Sequence, residues 1–280
     1  DGSFTETAIQ RGCALNRDGS AEAGMGVLAE DLDGDGKTDL FMTHLRNESN
    51  TLYRNLGAGH FTDATARAGV ARPTLPSTGF GTSAFDLELD GDLDIVIVNG
   101  RVTRSEVAPG ASLPAPWTEY CEPNMLLLSE GGASYSPGLV SGGFERSVSV
   151  SRGLARGDID GDGDIDIVVT GVASPVEIYL NETGRSGSWL IADAVMGEAA
   201  IIAIGAIITV KAGPQTWSRS VRRGGSYLSS SPPSAHFGLG EATEIDSIEV
   251  RWADGVVESF ALSEVNQRVT LTRGEGNQLK

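Results

Sequence analysis

The chain is poor in the residues that carry most enzyme and transition-metal chemistry. Its 280 residues hold two cysteines and three histidines. Cys13 and Cys121 are too few for a disulfide framework and sit in very different segments. They read as two separate buried thiols, with a bridge as the alternative in an exported protein. His44, His60 and His236 show no His-Glu-x-x-His or other zinc spacing. His236 lies in the serine-rich phrase Ser229 to Phe237 and reads as a turn-stabilising imidazole. There is no Gly-x-Ser-x-Gly elbow and no Gly-x-x-x-x-Gly-Lys phosphate loop. No run approaches the roughly 18 apolar residues of a membrane span. The most apolar stretch, Ala199 to Val210, is twelve residues and contains a glycine. It reads as one buried strand, or as a bare edge that pairs with another copy of the chain.

Positive charge is scarce as well. There are 21 Lys and Arg against 38 Asp and Glu, a net charge of -17. That field disfavours nucleic acid and anionic membranes as partners. Arg219, Arg222 and Arg223 cluster, and read as a solvated face of a strand and turn. Aromatics are only 6%, and Trp117, Tyr120, Trp189 and Trp217 read as core packing, with sugar stacking as the alternative. The chain opens on Asp1 with no signal peptide, which fits a mature or truncated secreted product.

What the chain has in excess is acid in a fixed phrase, Asp-x-Asp/Glu-x-Asp-Gly-x-x-Asp. It is written at Asp31 to Asp39, Asp86 to Asp94 and Asp158 to Asp166. Two unit charges about 4 Å apart repel by roughly 4 kcal/mol at an effective dielectric of about 20. A hard divalent ion reverses that sign. Oxygen donors without nearby His or Cys point to Ca²⁺ at three sites. Positions 1, 3, 5 and 9 offer side-chain oxygens. They are Asp31, Asp33, Asp35 and Asp39; Asp86, Glu88, Asp90 and Asp94; Asp158, Asp160, Asp162 and Asp166. Position 7, Lys37, Asp92 or Asp164, would give its backbone carbonyl. The glycine at position 6 allows the sharp turn. Glu88 is one methylene longer than its counterparts, which predicts the second site to be the weakest. Three bound Ca²⁺ would bring the charge from -17 to -11.

An EF-hand begins similarly but needs a Glu at position 12 and a following helix. Here position 12 is Met42, Ile97 or Val169. Leu40 to Met42, Ile95 to Val98 and Ile167 to Thr170 read as strands buried on both faces. Small residues dominate the stretches before the loops, at Gly24 to Glu30, Gly79 to Phe85 and Arg152 to Gly157. Two further stretches, Asn50 to Asp63 and Asn124 to Tyr135, repeat one another, and Asp1 to Glu6 reads as the tail of the same phrase. Short strands, glycine-rich turns and a period of several tens of residues indicate a radial β repeat.

On these motifs residues 1–184 resemble the FG-GAP/VCBS calcium repeats of the integrin α-type propeller. Residues 185–280 resemble the ASPIC/UnbV domain, through Ser188-Trp-Leu, Ala203-Ile-Gly-Ala, Gly225-Ser-Tyr-Leu-Ser-Ser-Ser, His236-Phe-Gly-Leu-Gly and Ile248-Glu-Val-Arg-Trp-Ala-Asp-Gly. Together they look like the cartilage-acidic-protein-1-like family. The resemblance implies an all-β chain, a partial β-propeller followed by a small β-sandwich-like domain. At roughly 40–50 residues per blade, the first part supplies about three and a half to four blades. The sequence departs from the family at Ala200-Ile201-Ile202, where a polar triplet is usual, and at Ile207, usually basic.

The function this implies is a secreted or cell-surface calcium-binding scaffold of adhesion type, not an enzyme. Its partners would be an extracellular protein or glycan, or further copies joined through residues 199–210 or the incomplete propeller. The alternatives are a polysaccharide- or sugar-acting propeller enzyme and a structural subunit of an extracellular fibre or sheath. Arg156-Gly157-Asp158 spells an adhesive tripeptide, but its Asp is committed to the third loop. Asn47-Glu-Ser49 and Asn181-Glu-Thr183 are glycosylation sequons.

Overall fold

The computed structural model describes residues 2–139, 143–183 and 187–279. The fold is all-β and propeller-like, with five sheets of three or more strands among the described residues. The first sheet is β1 (Val27–Glu30), β2 (Asp39–Met42), β3 (Thr51–Gly57) and β4 (His60–Asp63), in that order. The second uses β5 (Gly79–Phe85), β6 (Asp94–Asn99), β8 (Met125–Ser129) and β9 (Tyr135–Pro137). Beside it β7 (Glu122–Pro123) pairs with β10 (Val148–Ser149). The third is β11 (Ser151–Gly157), β12 (Asp166–Gly171) and β13 (Glu177–Tyr179). All three are antiparallel meanders, and each acidic phrase is the hairpin connection between the first two strands.

Burial explains how these sheets stack. Every residue of β6 is buried. Because side chains alternate along a strand, Ile95 and Ile97 enter a core with Leu28, Phe41 and Leu52 of the first sheet. Val96 and Val98 enter a second core with Leu154, Ile167 and Val169 of the third. Each such side chain contributes about 1.5–3 kcal/mol of apolar burial. Of the three strands that follow the acidic phrases, only β6 is buried on both faces. In β2 the buried residues alternate with half-buried ones, and in β12 Thr170 is exposed. Those two strands belong to outer sheets, each with only one covered face.

The C-terminal unit has two sheets. In one, β14 (Ser188–Met196) pairs with β15 (Ile201–Ile202) and β18 (Ala235–Gly240), and in parallel with β21 (Gln267–Thr272). The other runs β17 (Gln215–Ser220), β16 (Ile207–Ala212), β19 (Ser247–Arg251), β20 (Val257–Phe260), β22 (Asn277–Gln278). Leu190, Phe237 and Leu271 of one and Ile208, Val210 and Ile248 of the other share one core. The boundary read at residue 184 lies outside the described residues.

Two expectations need correction. Ala199 to Val210 is not one strand. A turn through Ile204 and Gly205, the latter at φ 90°, divides β15 from β16. Nor is β16 a bare edge, since it pairs with β17 on one side and β19 on the other. Residues 2–6 form no strand, and Phe4 is 99% exposed. A one-turn helix, Ala8–Arg11, follows instead. Cys13 is half-buried and Cys121 buried, and both are free thiols. No helix among the described residues is long and apolar enough to cross a membrane.

Candidate metal centres

Each acidic phrase folds the same way because its first strand ends where its carboxylates begin to bind their own loop's N–H groups. In the first loop Asp31 accepts from the N–H groups of Asp35 (3.0 Å) and Gly36 (2.9 Å). In the second Asp86 accepts from Asp90 (3.0 Å) and Gly91 (2.6 Å). In the third Asp158 accepts from Gly161 (2.8 Å) and Asp162 (3.1 Å). Position 9 closes each loop from the far side. Asp39 accepts from Leu32 and Asn55, Asp94 from Leu87 and Ser129, and Asp166 from Ile159 and Asn181. One oxygen thus holds the loop's second residue and the other holds the third strand or its end.

The result is three groups of converging carboxylates: Asp31, Asp33 and Asp39; Asp86, Glu88 and Asp94; Asp158, Asp160 and Asp166. Within each group, one oxygen per residue lies within 4.8 Å of the others. Position 5 does not join them. Asp35, Asp90 and Asp162 accept instead from the N–H of position 7, at 2.9, 2.9 and 3.0 Å. They shape the turn. The side chains of Lys37, Asp92 and Asp164 at position 7 also stand outside the groups.

The electrostatics of the groups suit a cation. Burial, reinforced by neighbouring carboxylates, pushes Asp39 up to about 6, Asp86 to about 7 and Asp94 to about 8. Burial also raises Asp31 and Asp166. At Asp35 burial is outweighed by Lys37, whose ammonium lies 2.6 Å away, and the carboxyl is held low. Arg54 pairs with Asp33 in the same loop. The second loop has no such pairing on its three converging groups among the described ion pairs, and it holds the most strongly raised acids. Three hard oxygen donors in each cage suit Ca²⁺, with backbone and water oxygens to complete the six to eight contacts it takes.

The C-terminal unit is built onto these loops. Strand β18 carries His236, whose Nε2 lies 3.0 Å from the Gly163 carbonyl of the third loop. Two residues on, Gly238 sits so close to Asp86 that an added Cβ would overlap the carboxylate. Gly240 donates its N–H to Leu89 of the second loop at 2.9 Å. Trp189 covers Gly163, and Trp217 covers Gly91, where an added Cβ would lie 2.6 Å from the indole nitrogen. Gly163 and Gly91 have φ of 98° and 101°, so the turn and the indole each demand glycine.

Several expectations change accordingly. His236 is a buried strand residue, not a turn residue, and its pKa is pushed down to about 3, chiefly by burial. Trp217 packs in the C-terminal core, as expected of it, and also covers Gly91, while Trp189 covers Gly163. Arg219 is buried, not solvated, and lines a cavity of about 160 Å³ with Asp31 and Asp92. Arg156 is committed to Glu30 and the Ala84 carbonyl, which removes it as an adhesive arginine. Asn181 is buried and its Nδ2 donates to Leu87 at 3.1 Å, so only Asn47 of the two sequon asparagines is exposed.

Sequence reasoning missed a serine seal. The first strands of the three sheets, β1, β5 and β11, leave edge groups unpaired. Ser226 meets all three. Its backbone pairs with Val27, and its Oγ accepts from Thr82 N–H (3.2 Å) and donates to the Leu154 carbonyl (3.0 Å). Ser229 Oγ then accepts from Leu154 N–H and Ser231 Oγ from Arg156 N–H. The Gly225-to-Ser231 phrase was the only signal, and it had no local partner to name.

Two family models match parts of the chain. The family model described as FG-GAP-like repeat matches residues 31–97, and that described as ASPIC and UnbV matches residues 199–278. The first match spans two of the three loops; the third lies beyond it yet brings together the same three positions. The chain is 28% identical to human cartilage acidic protein 1 and 26% identical to the Xenopus tropicalis protein, over 92% and 94% of its length. It spans about half of those relatives, 46% and 48% respectively. Parts of this chain therefore resemble the FG-GAP-like repeat and the ASPIC and UnbV family models, and along nearly its whole length it is similar to cartilage acidic protein 1, as its motifs implied.

Proposed function

We propose that this chain is a secreted, calcium-organised scaffold of adhesion type with no catalysis of its own. One observation carries the reading: the C-terminal unit rests on the second and third acidic loops through β18, Trp189 and Trp217. An ion in each cage would be held by positions 1, 3 and 9, and its role is charge neutralisation and rigidity. With the cages filled, the loops become a firm seat for the domain above them. The propeller-like sheets are then a partial propeller closed by a sandwich-like domain that begins near residue 185. The word cartilage in the relatives' name, a tissue rich in extracellular matrix, supports secretion. Extracellular modules bind Ca²⁺ at about 10⁻⁴–10⁻³ M, a range that suits loops of this kind outside the cell.

The partner of this scaffold would be an extracellular protein or glycan. Self-assembly is a second reading, favoured by Met196, Ile201 and Ile204, which are 39%, 61% and 49% exposed around β15. Sizing at increasing concentration tests that reading.

The test of the main reading is chelation. Ca²⁺ that binds only the folded state at ten times its Kd contributes about 1.4 kcal/mol per site. Removing it should lower the melting temperature and make the chain more sensitive to protease. Unchanged melting and an unchanged digestion pattern in excess chelator would remove calcium from the account.

A further inference from the structure

We propose that the pocket beside the serine seal is a binding site for a small tetrahedral oxyanion of sulfate or phosphate type, free or as an ester. The pocket lies where β1, β5 and β11 meet the segments 220–226 and 231–234. Its wall carries Arg156, Arg222 and Arg223 against one carboxylate, Glu30. That leaves two positive charges in a chain whose net charge is -17. A local excess of this sign, enclosed by low-dielectric walls, concentrates anions.

The donors are already aimed. Glu30 Oε1 serves both Arg222 and Arg156, the latter at 3.6 Å. A guanidinium has five N–H donors in a fixed fork, so one shared oxygen leaves several unused. Arg156 spends one on the Ala84 carbonyl. Ser231 Oγ accepts from Arg156 N–H, which leaves the hydroxyl proton to donate. At the rim Gly225 has φ 138°, a conformation that favours glycine, and no side chain at Gly224 or Gly225 blocks entry.

Size narrows the ligand. The cavity is about 50 Å³, several times the roughly 10–15 Å³ that admits one water. It takes the anionic group and leaves any sugar or peptide outside. A dianion matches the local charge better than a carboxylate, and tetrahedral oxygens can reach guanidinium, hydroxyl and backbone donors together. The site does not depend on the calcium reading, since none of the converging carboxylates lines it.

The experiment is calorimetric titration of the full calcium-loaded chain with sodium sulfate, at ionic strength held constant with sodium chloride. Saturable binding with at least about tenfold preference over acetate is expected, the worth of one charge-assisted hydrogen bond. Glu30→Gln removes the competing carboxylate and should tighten sulfate by about tenfold. Arg223→Gln, at an exposed position, should weaken it by several-fold while the melting temperature stays unchanged. A monosaccharide sulfate ester that binds as well as the free ion identifies the ester as the source, and one that is excluded identifies the free ion. If the arginines serve only as a structural ion triad, Glu30→Gln shifts melting but leaves sulfate affinity as it was. That outcome, or no saturable binding in the parent chain, overturns the site.

Discussion

Replacing Ser226 with alanine isolates the seal between the two halves. The substitution leaves the backbone pair with Val27 in place and keeps the same positive φ of 66°, so backbone strain is nearly unchanged. What disappears is one oxygen with two bonds, from Thr82 N–H and to the Leu154 carbonyl. Thr82 and Leu154 are each 1% exposed, so water does not easily replace the lost partner. An orphaned buried donor or acceptor costs about 1–3 kcal/mol. Two orphans with some relaxation predict a loss of about 2–4 kcal/mol, against a total stability of about 5–15 kcal/mol for a typical domain. Urea denaturation in saturating Ca²⁺ measures it, with a slope of about 2–3 kcal/mol per molar. The midpoint should fall by roughly 1–1.5 M. Ser230→Ala is the control, because that side chain is exposed and bonds only the Arg223 carbonyl. It should cost under about 0.5 kcal/mol. If Ser226→Ala costs no more than the control, the seal is not a stabilising element.

Three further outcomes follow from the seat of the C-terminal unit on the loops. Gly238→Ala places a methyl on the Asp86 carboxylate; overpacking costs about 1–3 kcal/mol, and calcium calorimetry should count one site fewer. A full complement of sites in a folded variant would show that Asp86 is not a ligand. Glu88→Asp should tighten the second calcium site, and a weaker or unchanged site would refute the chain-length argument. His236 gives a pH dependence. Its folded pKa, about 3, lies below the unfolded value of about 6.5, so the folded state binds the proton less well. Its contribution is complete above about pH 6.5 and is lost as pH falls toward 3, with about 2 kcal/mol gone at pH 5. Denaturation of wild type and His236→Gln from pH 7 to 5 isolates this term. Equal slopes would mean the imidazole does not titrate on unfolding.

The parts legible in the sequence were those whose partners are close in the chain. Asp31 binds the N–H of Asp35 and Gly36, four and five residues on, so the acidic phrase announces its own loop. The apolar run after each phrase announces the strand that follows. Position 5 was not distinguishable from position 3 in sequence, and the structure sets it outside the three converging groups. The turn aims Asp35, Asp90 and Asp162 back at position 7. The twelve-residue stretch 199–210 misled because periodicity does not register a turn through Gly205 when both neighbouring segments are apolar.

The parts that were not legible depend on contacts made across the chain. His236 reaches Gly163 over 73 positions, and Ser226 reaches Thr82 over 144. Nothing near Arg219 says that it will be buried beside acids of the first and second loops. Yet each of these residues stands in the C-terminal unit, and each lands on a loop or on a first strand. That regularity has a physical cause. The open edges of β1, β5 and β11 and the glycine faces of the loops are where the three sheets leave polar backbone uncovered. A backbone group kept from water must find a partner. Serine hydroxyls, an imidazole and indole faces supply the bonds and the cover without adding like charge to an acidic surface. The C-terminal unit is therefore the complement of the loops, and any ion that stiffens them also fixes where that unit sits.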